Sequence, residues 1–173
     1  MTDIKLLFEK QLGKPSREAS FGRGDESFGV SKWVMGPEPG GTTMYAAYRE
    51  GGGGAVSVVL VTSRAVDSVA SELAWTQREI EIADNIKAGD TLNLQKALWI
   101  DGNMNIFSVN APLSSVSDHV DVSVMHDSGV HIFQVIPLFN SELVLQKRLG
   151  VKQFHERLLD GGSYLNPDRN PLT

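Results

Sequence analysis

The chain has 173 residues, 41% hydrophobic and 21% charged, which is enough to bury a core as one domain and far from the composition of a disordered segment. It has no cysteine, which excludes disulfides, thiol nucleophiles and cysteine-bearing zinc sites. A net charge of −5 without any run of Lys or Arg argues against a nucleic-acid partner and leaves a protein partner open.

Residues 2–12 read as a short helix with Ile4, Leu7, Phe8 and Leu12 on one face, closed by Gly13 and Pro15. The acidic Asp3 and Glu9 and the short apolar content make a poor leader peptide, and no later apolar run approaches a membrane span. The sequence therefore reads as that of a cytoplasmic protein with no membrane segment. Helix and loop occupy residues 1–28. Within them Arg23-Gly24-Asp25 is the tripeptide that some cell-surface receptors recognise, and in a glycine loop it reads as a turn.

A run of strands follows at Gly29–Met35, Met44–Arg49 and Ala55–Thr62, separated by a loop at 36–41 and by four glycines at 51–54. Those glycines lead into a strand and lack the Lys-Ser/Thr on a helix that a phosphate loop requires, so no nucleotide site is assigned.

The clearest single element is a long helix, about Ser68–Lys87, capped by Asp67 or Ser68 and closed by Gly89. Val69, Leu73, Ile80 and Ala83 form one apolar stripe, and Trp75, Ile82 and Ile86 form a second. Glu72 and Glu79 lie in line between them, while Gln77, Arg78, Glu81, Asp84 and Asn85 form an arc expected to face water. The second stripe has three readings: packing between sheet and helix, an acid-edged partner surface made by Glu72, Trp75, Glu79, Ile82 and Ile86, or an acid–base pair of the two glutamates.

Strands are next expected at Ala97–Ile100 and Asn105–Val109, joined through Asp101-Gly102-Asn103. A hairpin is expected from Asp121–His126 to Val130–Ile136, turning at Asp127-Ser128-Gly129. A two-residue turn puts Val122, Val124, Phe133 and Val135 on one face, and a three-residue turn shifts that register. The shorter turn also makes His126 and His131 cross-strand neighbours beside Asp127, the raw material of a metal site and the basis of an alternative reading as a small metal- or ligand-dependent enzyme. No G-x-S-x-G elbow supports serine hydrolysis. Two short helices, Asn140–Leu149 and Val151–Leu159, end at Gly161-Gly162. An extended tail at 161–173 is expected to lie along the surface or be disordered.

The hairpin with its turn at Ser128-Gly129, the run Ile132-Phe133-Gln134-Val135-Ile136-Pro137-Leu138, the acidic Glu142, and Leu149-Gly150-Val151 leading into Phe154 and Leu158-Leu159 resemble the suppressor-of-fused (SUFU-like) family. The Gly29-Val30-Ser31 strand and the helix holding Trp75 extend the likeness to about Gly29–Leu159. The resemblance implies an α+β fold, a mixed or antiparallel sheet with helices packed around it. It also implies no enzymatic activity; no cofactor is expected, and the length favours a single domain over 1–173, unlike the animal members. Animal members bind and restrain a transcription factor, and stand-alone bacterial members look like immunity proteins that neutralise toxins. The expected partner is thus a protein, a toxin or a regulator.

Overall fold

The computed structural model of the chain describes residues 1–36, 41–98 and 103–173. Seven strands, β1 (Arg17–Phe21), β2 (Phe28–Met35), β3 (Thr42–Arg49), β4 (Val56–Thr62), β5 (Thr91–Asn93), β6 (Met104–Asn110) and β7 (His131–Phe139), make one sheet ordered β1-β2-β3-β4-β7-β6-β5. Every pairing is antiparallel except β4 with β7, whose register sets Val56 beside His131 and Val59 beside Gln134. The helices are α1 (Ile4–Leu12), α2 (Ala70–Ala83), α3 (Ser114–Ser117), α4 (Val122–Asp127), α5 (Asn140–Leu149) and α6 (Val151–Leu159). The architecture is α+β with a mixed sheet, as expected.

Both faces of the central strands are covered, which explains why β3 and β4 are buried along almost their whole length and read as continuous apolar runs. One face, with Val30, Tyr45, Val58, Leu60, Phe107 and Val135, meets Leu73, Ala74 and Ile80 of α2. The alternate residues Trp33, Met44, Ala46, Val59 and Ile132 meet Ile4 and Phe8 of α1, Val116 of α3 and Met125 of α4. Ile106, Ile136 and Leu138 are covered by Leu145 of α5 and by Phe154 and Leu158 of α6. Gly29 sits where any Cβ would lie 2.6 Å from the Tyr48 ring, so that ring crosses β2 only because residue 29 has no side chain.

Four expectations change. The hairpin expected at 121–136 does not form: its first arm is the helix α4. Asp121 caps it, its carboxylate accepting the N–H groups of Ser123 (3.0 Å) and Val124 (3.3 Å). Gly129, at φ +82°, ends it: the Val130 N–H donates to the Met125 carbonyl and the Gly129 N–H to the His126 carbonyl, the paired bonds of a left-handed helix stop. Ser128-Gly129 is therefore a helix terminus, and the second arm, β7, pairs with β4 and β6 instead.

The long helix is shorter than the expected Ser68–Lys87. A 3₁₀ turn, Asp67–Val69, precedes it, and Asp84, left-handed at φ 54°, stops it before Gly89. The arc expected to face water does so at Asp84 and Asn85 and in part at Arg78 and Glu81, but not at Gln77. Gln77 is fully buried, accepting the Val58 N–H (2.9 Å) and donating to the Val56 carbonyl (2.8 Å) and to Glu81 (2.7 Å). A buried amide that satisfies strand backbone is tolerated because every polar atom is paired.

The tail is pinned, not loose: the Ser63 N–H donates to the Leu165 carbonyl (2.7 Å), and Arg169 is buried. The expected strand at 97–100 and its turn at 101–103 run into residues 99–102, and the loop at 36–41 into 37–40, all outside the described residues; β5 forms earlier, from Thr91.

Candidate functional site

The outer line of α2 is where the sequence placed a partner surface, and its five residues range from buried to exposed. Glu72 is 5% exposed, its Oε1 lies 3.8 Å from Lys96 Nζ, and its Oε2 is buried without a hydrogen bond. Trp75 and Ile86 are half-buried against the core under α2. Glu79 pairs with Arg78 at 3.2 Å on the partly exposed flank. Ile82 is 60% exposed, whereas Leu73 and Ile80 of the same helix are buried.

At the C-terminal end of α2, Ile82 and Ile86 come together over a groove of about 510 Å³. Its floor is Val56, Ile80 and Phe133, and the His131 ring stands edge-on to Phe133 at 4.5 Å. Gly53 and Gly54 of the β3–β4 turn, Asp84 and the Arg49–Glu81 pair also line it, and a Cβ at Gly54 would lie 3.7 Å from Glu81 Oε1. Arg49 donates from Nε and Nη2 to the same Glu81 oxygen, at 2.9 and 2.6 Å, and its guanidinium lies 5.1 Å from the Phe28 ring. The groove thus combines apolar side chains with a polar lining in which Glu81 is paired with Arg49 and Asp84 is exposed.

The acid–base and metal readings lose their geometry. Glu72 is tucked beside Lys96, and Glu79 beside Arg78 at the surface. His126 occupies the last turn of α4, so it is not the cross-strand neighbour of His131 that a hairpin would make it. Among the described residues, no group of three or more His, Asp and Glu side chains is placed to hold a metal ion.

A second polar centre lies at the other end of α2, and no local pattern announces it. Strand register places Arg17 beside Lys32 and Lys32 beside Tyr45, one row across β1, β2 and β3. All three converge on Asp67, which takes hydrogen bonds from Arg17 (2.6 Å), from Lys32 (2.9 and 3.1 Å) and from the Tyr45 hydroxyl (3.0 Å). Burial pushes the Asp67 carboxyl up, but the hydrogen bonds from Lys32, Tyr45 and Arg17 outweigh it and leave the group below its ordinary range. Burial drives the Tyr45 phenol well above its usual value, with Asp67 adding to the rise and the Val66 N–H opposing it. Asp67 or Ser68 is the expected cap of α2; neither takes that place, and Asp67 is turned to this row, which only the register would have announced.

No family model and no curated protein sequence matches the chain. Among solved structures it superposes on a SUFU (suppressor of fused protein) homologue from Neisseria gonorrhoeae FA 1090 with a TM-score of 0.73 at 15% identity, over 96% of this chain and 92% of that one. The fold is that of suppressor of fused. A chain of the Sufu–Fu complex matches with a TM-score of 0.65 at 14% identity, over 94% of this chain and 86% of that one. Drosophila Suppressor of Fused matches at 0.55 and 16% identity, over 82% of this chain but only 42% of its own length, so here the SUFU-like fold corresponds to about two-fifths of the larger molecule. Among the described residues, no helix is long and apolar enough to cross a membrane.

Proposed function

We propose that this chain is a non-enzymatic protein-binding domain that acts by covering its partner, with the outer line of α2 and the groove under Ile82 as the contact face. The observation that carries this reading is Ile82, left 60% exposed beside a groove that Val56, Ile80, Ile86 and Phe133 line together with the charged Arg49, Glu81 and Asp84. An exposed aliphatic anchor beside a pocket, with charges at the rim, is the make-up of a binding surface. The SUFU-like fold supports it, because one structure sharing that fold is a complex of Sufu with a second protein, Fu.

The finer reading is a bacterial immunity protein, cytoplasmic, that neutralises a toxin by steric occlusion. Its support is the near full-length match to the homologue from Neisseria gonorrhoeae, a chain of comparable size. The net charge of −5 would speed encounter with a basic partner. Co-expression with the protein encoded beside it, followed by size-exclusion chromatography, tests the proposal. A one-to-one complex that Ile82→Glu dissolves is the expected result; a complex indifferent to that change moves the contact face elsewhere, and no complex removes the occlusion reading.

A further inference from the structure

We propose that the cavity under the first turn of α2 binds a small amphipathic carboxylate, its apolar body over the sheet and its anionic head between Lys96 and Arg17. This site lies at the opposite end of α2 from the groove and goes beyond the protein-binding reading.

The cavity exists because α2 packs on β2, β3 and β4 and only sparsely on β1, which carries the sheet past the helix. The strip left open measures about 390 Å³, within the range of small-molecule sites. Its floor is apolar: Ala19 pairs with Val30 across β1 and β2, Phe21 lies two residues on, and Ala70 of α2 closes the far side. Phe21 is half-buried and Ala19 is exposed, so the apolar strip at this edge is not covered by the chain itself.

The charges select the ligand's head. Arg17, Lys32 and Lys96 face two carboxylates, Asp67 and Glu72, which leaves one positive charge in excess in a chain whose net charge is −5. Glu18 on the rim does not cancel it, being held by Lys5 at 2.5 Å. Lys32 is committed to both oxygens of Asp67, whereas Lys96 stands 64% exposed with its nearest carboxylate oxygen at 3.8 Å, beyond a good hydrogen bond. Arg17, 69% exposed, uses one nitrogen on Asp67, and its guanidinium has further donors to offer. A carboxylate lying between them gains charge-assisted hydrogen bonds, while an ammonium head meets the excess of like charge.

Octanoate and indole-3-acetate serve as probes, with octylamine as the control, titrated into the ¹⁵N-labelled protein. The expected result is saturable shifts of the Ala19, Val30, Ser68 and Ala70 amides with at least one carboxylate and none with the amine. Lys96→Glu, a surface change, should weaken the carboxylate about tenfold, the scale of one charge-assisted hydrogen bond. Ala70→Leu, which fills the cavity, should abolish binding. No saturable shift with either carboxylate overturns the proposal, as does equal binding of octylamine, or affinity unchanged in Lys96→Glu. None of these outcomes bears on the groove, so failure here leaves the protein-binding reading where it stands.

Discussion

Arg169 and Glu142 meet through two parallel hydrogen bonds, Nη1 to Oε1 at 2.5 Å and Nη2 to Oε2 at 2.9 Å, with their side chains 5% and 0% exposed. Neither charge is left short of partners. Arg169 Nη2 also donates to the Pro137 carbonyl (2.9 Å), and the guanidinium lies 5.2 Å from the Phe139 ring. Glu142 accepts the Phe139 and Leu172 N–H groups as well, at 2.9 and 3.0 Å. This pair fastens the last residues to the junction of β7 and α5, so the tail is part of the folded body.

Breaking such a pair from one side leaves a buried charge alone. Arg169→Ala should therefore destabilise the protein by about 3–5 kcal/mol in urea unfolding. Arg64→Ala removes the neighbouring bridge to Asp168, which is 53% and 65% exposed, and should cost no more than about 1 kcal/mol. Equal losses in the two variants would mean that the tail is held by something other than the buried pair.

The row that converges on Asp67 makes a second prediction, about acid. Asp67 titrates below its ordinary value in the folded chain, so its contribution is fully present above the unfolded carboxyl value and is lost as pH falls through the folded one. Asp67→Asn should lower stability at pH 7 and flatten the acid limb of a stability–pH curve below about pH 4. Tyr45→Phe removes a hydroxyl that donates to Asp67 and accepts the Val66 N–H (2.7 Å), and should cost about 1–2 kcal/mol by denaturant titration. An acid limb unchanged in Asp67→Asn would remove the row from the account of acid stability.

Much of the fold was legible because its signals are local. The apolar runs of β2, β3 and β4, the helical spacing of Val151, Phe154 and Leu158, and the glycine between α5 and α6 need no knowledge of distant partners. The segment at 121–127 misled because Val122 and Val124 alternate with serine as a half-buried strand does. Asp121 and Gly129 were equally good helix signals, and only the hydrogen bonds decide between them. Gln77 was misplaced because its partners are backbone atoms of β4, about twenty residues away in sequence. The Arg17–Lys32–Tyr45 row and the Arg169–Glu142 pair depend on register and on a 27-residue return of the chain, which periodicity does not report. The candidate partner line was legible as a stripe; its division into a buried Glu72 and an exposed Ile82 was not.

His155 supplies a third test. Its ring sits half-buried on α6, with Nε2 3.4 Å from Ser108 Oγ, and burial holds its titration below the ordinary value of 6.5. The folded state then binds the proton less readily than the unfolded one, so stability is full above about pH 6.5 and is lost on acidification from there toward the folded value. His155→Gln should remove that slope, so that unfolding free energies at pH 5.5 and 7.5 draw closer than in the parent. A parent curve already flat across this window would mean that the imidazole reaches water freely.

The partner face yields the sharpest contrast, because two isoleucines two residues apart on α2 have opposite surroundings. Ile80 is 4% exposed in the core under the helix, and Ile82 is 60% exposed at the groove. Burying a charge at the first position has no compensating partner, so Ile80→Glu should unfold or severely destabilise the chain. Ile82→Glu meets solvent and should shift stability by no more than about 0.5 kcal/mol. If the groove is the contact face, the same change should cost at least about 2 kcal/mol in binding, the scale of an interface anchor, with the loss appearing as faster dissociation. Thermal unfolding and surface plasmon resonance on the two variants separate these effects. A stable Ile82→Glu protein that holds its partner as tightly as the parent would shift attention from the C-terminal groove to the other end of α2, where Glu72 and Lys96 lie.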